Sequence, residues 1–120
     1  LKDQLKDHMK LIWEAMLEKK ALDPVILDVR SVSGVTDFFL ICSGNTQVQV
    51  KAIADNIDDK HKESGMVCPL KEGYADGRWV LMDFGNMVVH ILHQTEREFY
   101  ALEKLWHDAK MIRDIDELVL

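Results

Sequence analysis

A chain of 120 residues with 48% hydrophobic and 30% charged side chains is long enough for one globular domain with its own core, and too short for two. A formal net charge of −6 disfavours a phosphate backbone as a direct partner and suits a basic one. No apolar run approaches the length of a membrane span, so no membrane role is expected, and the acidic charge argues against direct nucleic-acid binding.

The opening residues, LKDQLKDHMK, alternate charge with apolar side chains, unlike a signal or transit peptide. Without an initiator Met, the start is expected to have been trimmed or to lie upstream. Residues 2–20 have the spacing of an amphipathic helix, with Leu5, Met9, Ile12, Met16 and Lys20 in line and Trp13 and Leu17 beside them. Asp23-Pro24 is expected to stop it, because the residue before proline avoids the α region. Val25–Val29 predicts a short strand and residues 31–37 a loop. Phe38–Cys42 (FFLIC) predicts a strand buried on both faces. After Ser43-Gly44-Asn45, Thr46 is a candidate N-cap for a helix with Val50, Ile53, Ala54 and Ile57 as its core stripe, ending near Gly65. Met66–Leu70 predicts an edge strand, since Pro69 has no amide to donate. Cys42 and Cys68 lie in apolar runs without metal-ligand spacing, which fits reduced core thiols of a cytosolic protein.

Residues 71–77 are expected to form a loop. Two apolar runs then flank Gly85-Asn86, the signal of a two-residue type II′ hairpin. Such a turn fixes register. Phe84, Met82 and Val80 face Met87, Val89 and Ile91 on the core side. Asp83, Leu81 and Trp79 face Val88, His90 and Leu92 on the other side. That second side is apolar except for one carboxylate and one imidazole. Either helices cover it, or it is partly open and Trp79, Leu81 and Leu92 bury against a partner. The last helix is expected to start at Thr95, with Glu98 completing a capping box and Phe99, Leu102, Leu105, Trp106 and Ala109 as its apolar stripe. Residues 1–110 are read as one domain, and 111–120 as a helix extension or a tail.

Signals of chemistry are sparse. Ser43-Gly44-Asn45 between a strand and a helix is the right context for an anion nest. Nucleotidyl transferases place Gly-Ser there, followed by an Asp-x-Asp pair for metal ions. In this chain no carboxylate follows until Asp55, which counts against two-metal transfer. His90 and His93 point to opposite faces of a strand, so no shared metal is expected and His90 reads as structural. His8, His61 and His107 read as surface or boundary residues. Asp37, Asp76 and Asp83 read as turn, cap or rim residues. No serine sits in a nucleophile elbow, and no catalytic residue, metal or cofactor is expected.

Three blocks carry a resemblance: DVRSVSGVTDFFLICSGNTQVQVKAIADNI at 28–57, WVLMDFGNMVVHIL at 79–92 and REFYALEKLW at 97–106. They resemble the ribosomal silencing factor S, or Iojap-like, family. Asn86 stands where the family often has an acid, and Arg30 or Ser31 where it often has Ser; neither touches the hairpin anchors. The resemblance implies an α/β (α+β) fold, a mixed β-sheet flanked by helices. Its core would be nucleotidyltransferase-like without the catalytic carboxylates. It implies a cytoplasmic, non-enzymatic factor that binds the universal large-subunit ribosomal protein numbered fourteen. Binding there would block joining of the small subunit and repress translation. The residues expected to contact that partner are Trp79, Leu81 and Asp83, then Tyr74 and Asp76, with Arg97 and Tyr100 either contacts or packing residues. A homodimer that hides the apolar face is a further expectation. The alternative is a divergent nucleotidyl transferase using the Ser43-Gly44-Asn45 loop.

Overall fold

The structure is a computed structural model that describes residues 2–34, 36–64 and 70–120. Helix α1 (Lys2–Glu18) precedes strands β1 (Leu22–Asp28) and β2 (Phe38–Gly44), helix α2 (Gln47–Glu63), and strands β3 (Leu70–Glu72), β4 (Trp79–Asp83) and β5 (Met87–His93). Two short helices follow, α3 (Gln94–Tyr100) and α4 (Leu102–Leu105), then β6 (Lys110–Ile112) and a 3₁₀ turn over Ile115–Glu117. The six strands form one mixed sheet in the order β3-β4-β5-β2-β1-β6. Only β2 and β5 run parallel; the other pairs are antiparallel. This is the mixed sheet flanked by helices that the family resemblance implies.

Helices α1 and α2 lie together on one face and seal the main core. Met9, Ile12 and Met16 of α1 and Val50, Ile53, Ala54 and Ile57 of α2 are fully buried against Phe38, Leu40, Val80, Met82 and Val89. Thr46 caps α2 as expected, its side chain accepting from the Gln49 amide. His61 is not at the surface: it is buried, stacked on His8 at 5.1 Å with the Phe84 ring edge-on at 4.9 Å.

Helix α1 stops earlier than Asp23-Pro24. Lys20 takes the left-handed conformation (φ 59°), and the Lys20 and Ala21 amides donate back to the Leu17 and Met16 carbonyls. That is a Schellman ending with lysine in the place glycine usually fills. Asp23 (φ 45°) and Pro24 lie inside β1 instead, where the register to β2 shifts between Leu22 and Val25. A proline without an amide fits at such a bulge.

The hairpin pairs as the turn dictates: Trp79 with Leu92, Val80 with Ile91, Leu81 with His90, Met82 with Val89 and Asp83 with Val88. Gly85 has φ 91°, with open space where a Cβ would be, so the turn requires its backbone freedom and not its small size. Leu70 belongs to β3 at the sheet edge; Gly65, Pro69, Cys68 and the rest of the strand expected from Met66 lie outside the described residues.

The C-terminal third departs most from expectation. The last helix begins at Gln94, and the imidazole of His93, not Thr95, caps it by accepting the Thr95 amide at 3.1 Å. It breaks at Ala101 (φ 46°), so no continuous stripe forms: Leu102, Trp106 and Ala109 pack on the sheet, while Phe99 and Leu105 are 80% and 70% exposed. Residues 111–120, expected to extend the helix or trail as a tail, are built into the fold. Strand β6 pairs with the free edge of β1, and Ile112, Ile115 and Leu118 enter the main core beside α1.

Candidate docking face

The outer face of β4 and β5 is where the described residues leave an apolar surface incomplete. Alternation along the strands puts Trp79, Leu81 and Asp83 on this face of β4, and Val88, His90 and Leu92 on β5. The helices cover it unequally. Leu102 and Trp106 seal the β1–β2 side, where Val25, Leu27, Ile41 and Leu92 form a second buried cluster. Val88, His90 and Leu92 are buried, but Trp79 and Leu81 are only half-buried. The structure therefore combines the two readings of the hairpin: closed over β5, open over β4.

The open part extends in both directions. The Trp79 ring lies 4.8 Å from Tyr100, which in turn lies 5.0 Å from Phe99. Across β4, Leu70 pairs with Asp83 and Glu72 with Leu81. Leu70 and Tyr100 are 63% and 50% exposed, too large a fraction for either to be a core residue. Phe99, Tyr100, Trp79, Leu81 and Leu70 thus follow one another across the edge of the sheet. Glu72, Asp83, Glu96 and Glu98 are the acids along the same elements.

Trp79 is held from behind. Its indole N–H donates to Nδ1 of His90 at 3.0 Å, and Phe39 packs edge-on against that imidazole at 5.1 Å. With Nδ1 accepting, the single proton of a neutral His90 sits on Nε2. Burial pushes the His90 pKa down to about 4, so the ring is neutral at physiological pH. Close packing from the loop side adds to this: a Cβ on Gly73 (φ 79°) would overlap the Trp79 carbonyl.

The other expected contact residues are placed differently. One oxygen of Asp83 accepts the Gly85 amide at 2.8 Å, tying the exposed carboxylate to the hairpin turn. Tyr74 faces the α2 side and packs against the main core. Its hydroxyl donates to Asp55 at 3.0 Å and its ring lies between Lys51 and Lys71. Asp76 is exposed, and its carbonyl accepts from the Gln47 amide group at 2.7 Å. Arg97 is turned inward. Its guanidinium meets Glu103 at 2.7 and 2.8 Å and donates to the Leu22 carbonyl and the Ser43 hydroxyl, each at 3.1 Å. Phe99 and Leu70 are exposed residues of this face that sequence reasoning did not include. Leu70 could have been found from its place one alternation along the edge strand; Phe99 could not, because helical periodicity assigns it to the core.

At the Ser43-Gly44-Asn45 loop, the Ser43 hydroxyl and the Asn45 amide are engaged within the chain. Gln49 accepts the Asn45 amide at 2.8 Å, Thr46 accepts the Gln49 amide at 3.0 Å, and a Cβ on Gly44 would press on Val50 at 3.2 Å. Gly44 serves strand-to-helix packing there. A nearby cavity of about 500 Å³ at the ends of β2 and β5 is lined by Asp23, Ser43, Arg97, Glu98 and Glu103. The Arg97 donors at its wall are already taken by the chain. Burial pushes the Cys42 thiol up to about 12, which leaves it unreactive.

Fold and site together define a small α/β protein whose most developed feature is an apolar face at a sheet edge. Residues 2–119 match the family described as ribosomal silencing factor during starvation, and the chain belongs to that family. It is 45% identical over 111 residues to the ribosomal silencing factor RsfS of Bacillus subtilis, covering 92% of this chain and 93% of that one. A crystal structure of a protein from Chromobacterium violaceum superposes with a TM-score of 0.80 at 34% identity, covering 84% of each chain. A more distant relative, 28% identical over 106 residues, is the mouse mitochondrial assembly of ribosomal large subunit protein 1; the match covers 84% of this chain and 46% of that protein.

Proposed function

We propose that this chain silences translation by docking its open β4 face on the large ribosomal subunit. The docking partner is the universal large-subunit protein numbered fourteen, and a factor seated there keeps the small subunit from joining. The observation that carries this reading is Trp79. It is half-buried, locked in one orientation by His90, and flanked by Leu81, Tyr100, Phe99 and Leu70 with acids around them. A rigid aromatic at the centre of an apolar patch with a polar rim is the usual anatomy of an interface hot spot. Ribosomal proteins are basic because they hold RNA, and a chain of net charge −6 complements them. The naming of the mouse relative for large-subunit assembly supports the same target. Steric blocking needs no turnover and no cofactor, and the site of action is the cytoplasm.

Sucrose-gradient sedimentation of purified subunits tests it. The protein should travel with free large subunits and reduce the joined-ribosome peak when small subunits are added. Trp79→Ala should weaken docking by about 2 kcal/mol or more. Leu81→Lys, at a position that is only partly buried, should abolish docking while the melting temperature stays close to that of the parent. Retained docking by Leu81→Lys would refute the assigned face, and failure of the parent to bind the isolated ribosomal protein would refute the partner. Nucleotide-dependent thermal stabilisation would favour the transferase alternative.

A further inference from the structure

Ala101 adopts a left-handed backbone (φ 46°, ψ 56°) that L-residues with a Cβ rarely hold, and it does so between two helices that periodicity would join. Arg97 and Glu103 stand on either side of this bend and close over it, Nε and Nη2 of Arg97 meeting Oε1 of Glu103 at 2.8 and 2.7 Å. The Ala101 amide donates to the Arg97 carbonyl at 2.9 Å within the same turn. The remaining guanidinium nitrogen anchors the bend to the sheet through the Leu22 carbonyl in the β1 bulge and the Ser43 hydroxyl at the end of β2. The Arg97 side chain is only 13% exposed, so every one of these partners is internal and little of it is left for another molecule. Tyr100, the residue immediately before the bend, is the one that reaches Trp79. A straight helix would instead carry Phe99 and Leu105 on the stripe of Leu102 and Trp106, and the exposed aromatic end of the docking face would not exist.

We infer that the Arg97–Glu103 pair is a clasp across the Ala101 bend that holds Tyr100 and Phe99 on the docking face. Arg97 is then a positioning residue and not a partner contact. The clasp needs a planar fork whose Nε and Nη2 meet the Glu103 carboxylate while Nη1 reaches the Leu22 carbonyl and the Ser43 hydroxyl, a span that the single nitrogen of a lysine does not reproduce. Its effect on affinity rests on the docking reading above; its effect on the Tyr100–Trp79 contact does not.

The test compares the parent, Arg97→Lys and the double variant Arg97→Lys with Ala101→Gly, at a temperature where circular dichroism shows each folded. Large-subunit sedimentation reads docking, and nuclear Overhauser contacts between the Tyr100 and Trp79 rings read position. Arg97→Lys should lose about ten-fold in docking affinity together with the ring contacts. Glycine at 101 adopts the left-handed conformation without the clasp, so the double variant should regain part of both signals. Docking within about two-fold of the parent overturns the inference. So does lost docking with intact ring contacts, which would make Arg97 a direct contact, and so does a glycine that restores neither signal. If the parent itself does not bind the subunit, the docking reading falls, and the ring contacts alone decide the clasp.

Discussion

The Trp79 indole is held by a neutral imidazole, and acid should loosen it. The folded pKa of His90 lies near 4 because of burial, below the ordinary value of 6.5. Between those values the unfolded chain binds a proton that the native chain does not. The His90 contribution is therefore full above about pH 6.5, falls as pH drops towards about 4, and levels off below, by on the order of 3 kcal/mol. His8 and His61 add in the same direction, both lowered first by burial, His8 further by its neighbour His61 and His61 partly restored by Asp58. Urea unfolding across pH 4–7 should show this slope, and His90→Gln should flatten part of it; an unchanged slope would mean that His90 takes up its proton as readily in the native state as in the unfolded chain. Gly73→Ala is the second expectation at this scale. Its Cβ would meet backbone, which cannot swing aside, and the left-handed φ adds strain. The melting temperature should fall, and docking should fall with it, since the displaced carbonyl belongs to Trp79. At this scale much was legible. The alternation of WVLMD and a two-residue turn place Trp79, Leu81 and His90 on one face by local geometry. The Tyr74–Asp55 bond was not legible, because it joins a loop to a helix through space.

Among the elements, β6 and the 3₁₀ turn change what the C-terminus is for. Ile112, Ile115 and Leu118 recur at a three-residue spacing that a sequence alone reads as helix or leaves as tail. They are buried because β1 offers an unpaired edge and α1 an open end, with Lys6 donating to the Leu118 carbonyl at 2.9 Å. Ile115→Ala should cost about 2–4 kcal/mol, the range for truncating a buried aliphatic side chain. Removing residues 110–120 should cost more, as a lowered thermal midpoint or failure to fold; a truncated protein that melts with the parent would refute this role. The last helix also shows why its break escaped prediction. Its periodic apolar residues are real, but Leu102, Trp106 and Ala109 pack on the sheet while Phe99 lies at the open face and Leu105 in solvent, and periodicity cannot tell a core residue from an exposed one.

For the molecule as a whole, the open face and the acidic charge act together. Docking on a basic ribosomal protein should weaken as salt rises, with the loss mainly in association rate, while the apolar contacts set dissociation. Stopped-flow association at two ionic strengths measures this, and a salt-independent on-rate would remove the electrostatic contribution. A homodimer that covers the same face is the further expectation at this scale. Light scattering should show mass rising with concentration for the parent and not for Leu81→Lys; a parent that stays monomeric at high concentration would exclude it.

Local pattern by itself determined strands β1, β2, β4 and β5, the hairpin register, the capped helix α2 and the greasy second face, because each is written in neighbours a few residues apart. Tertiary structure decided how much of that face stays open. The bend at Ala101 is held by contacts between residues 54 and 75 positions apart, Arg97 with Ser43 and with Leu22, and short-range periodicity contains no record of them. Whether Trp79 ends as core or as anchor turns on where that bend directs the covering helices, and only the folded chain brings those distant groups within hydrogen-bonding reach.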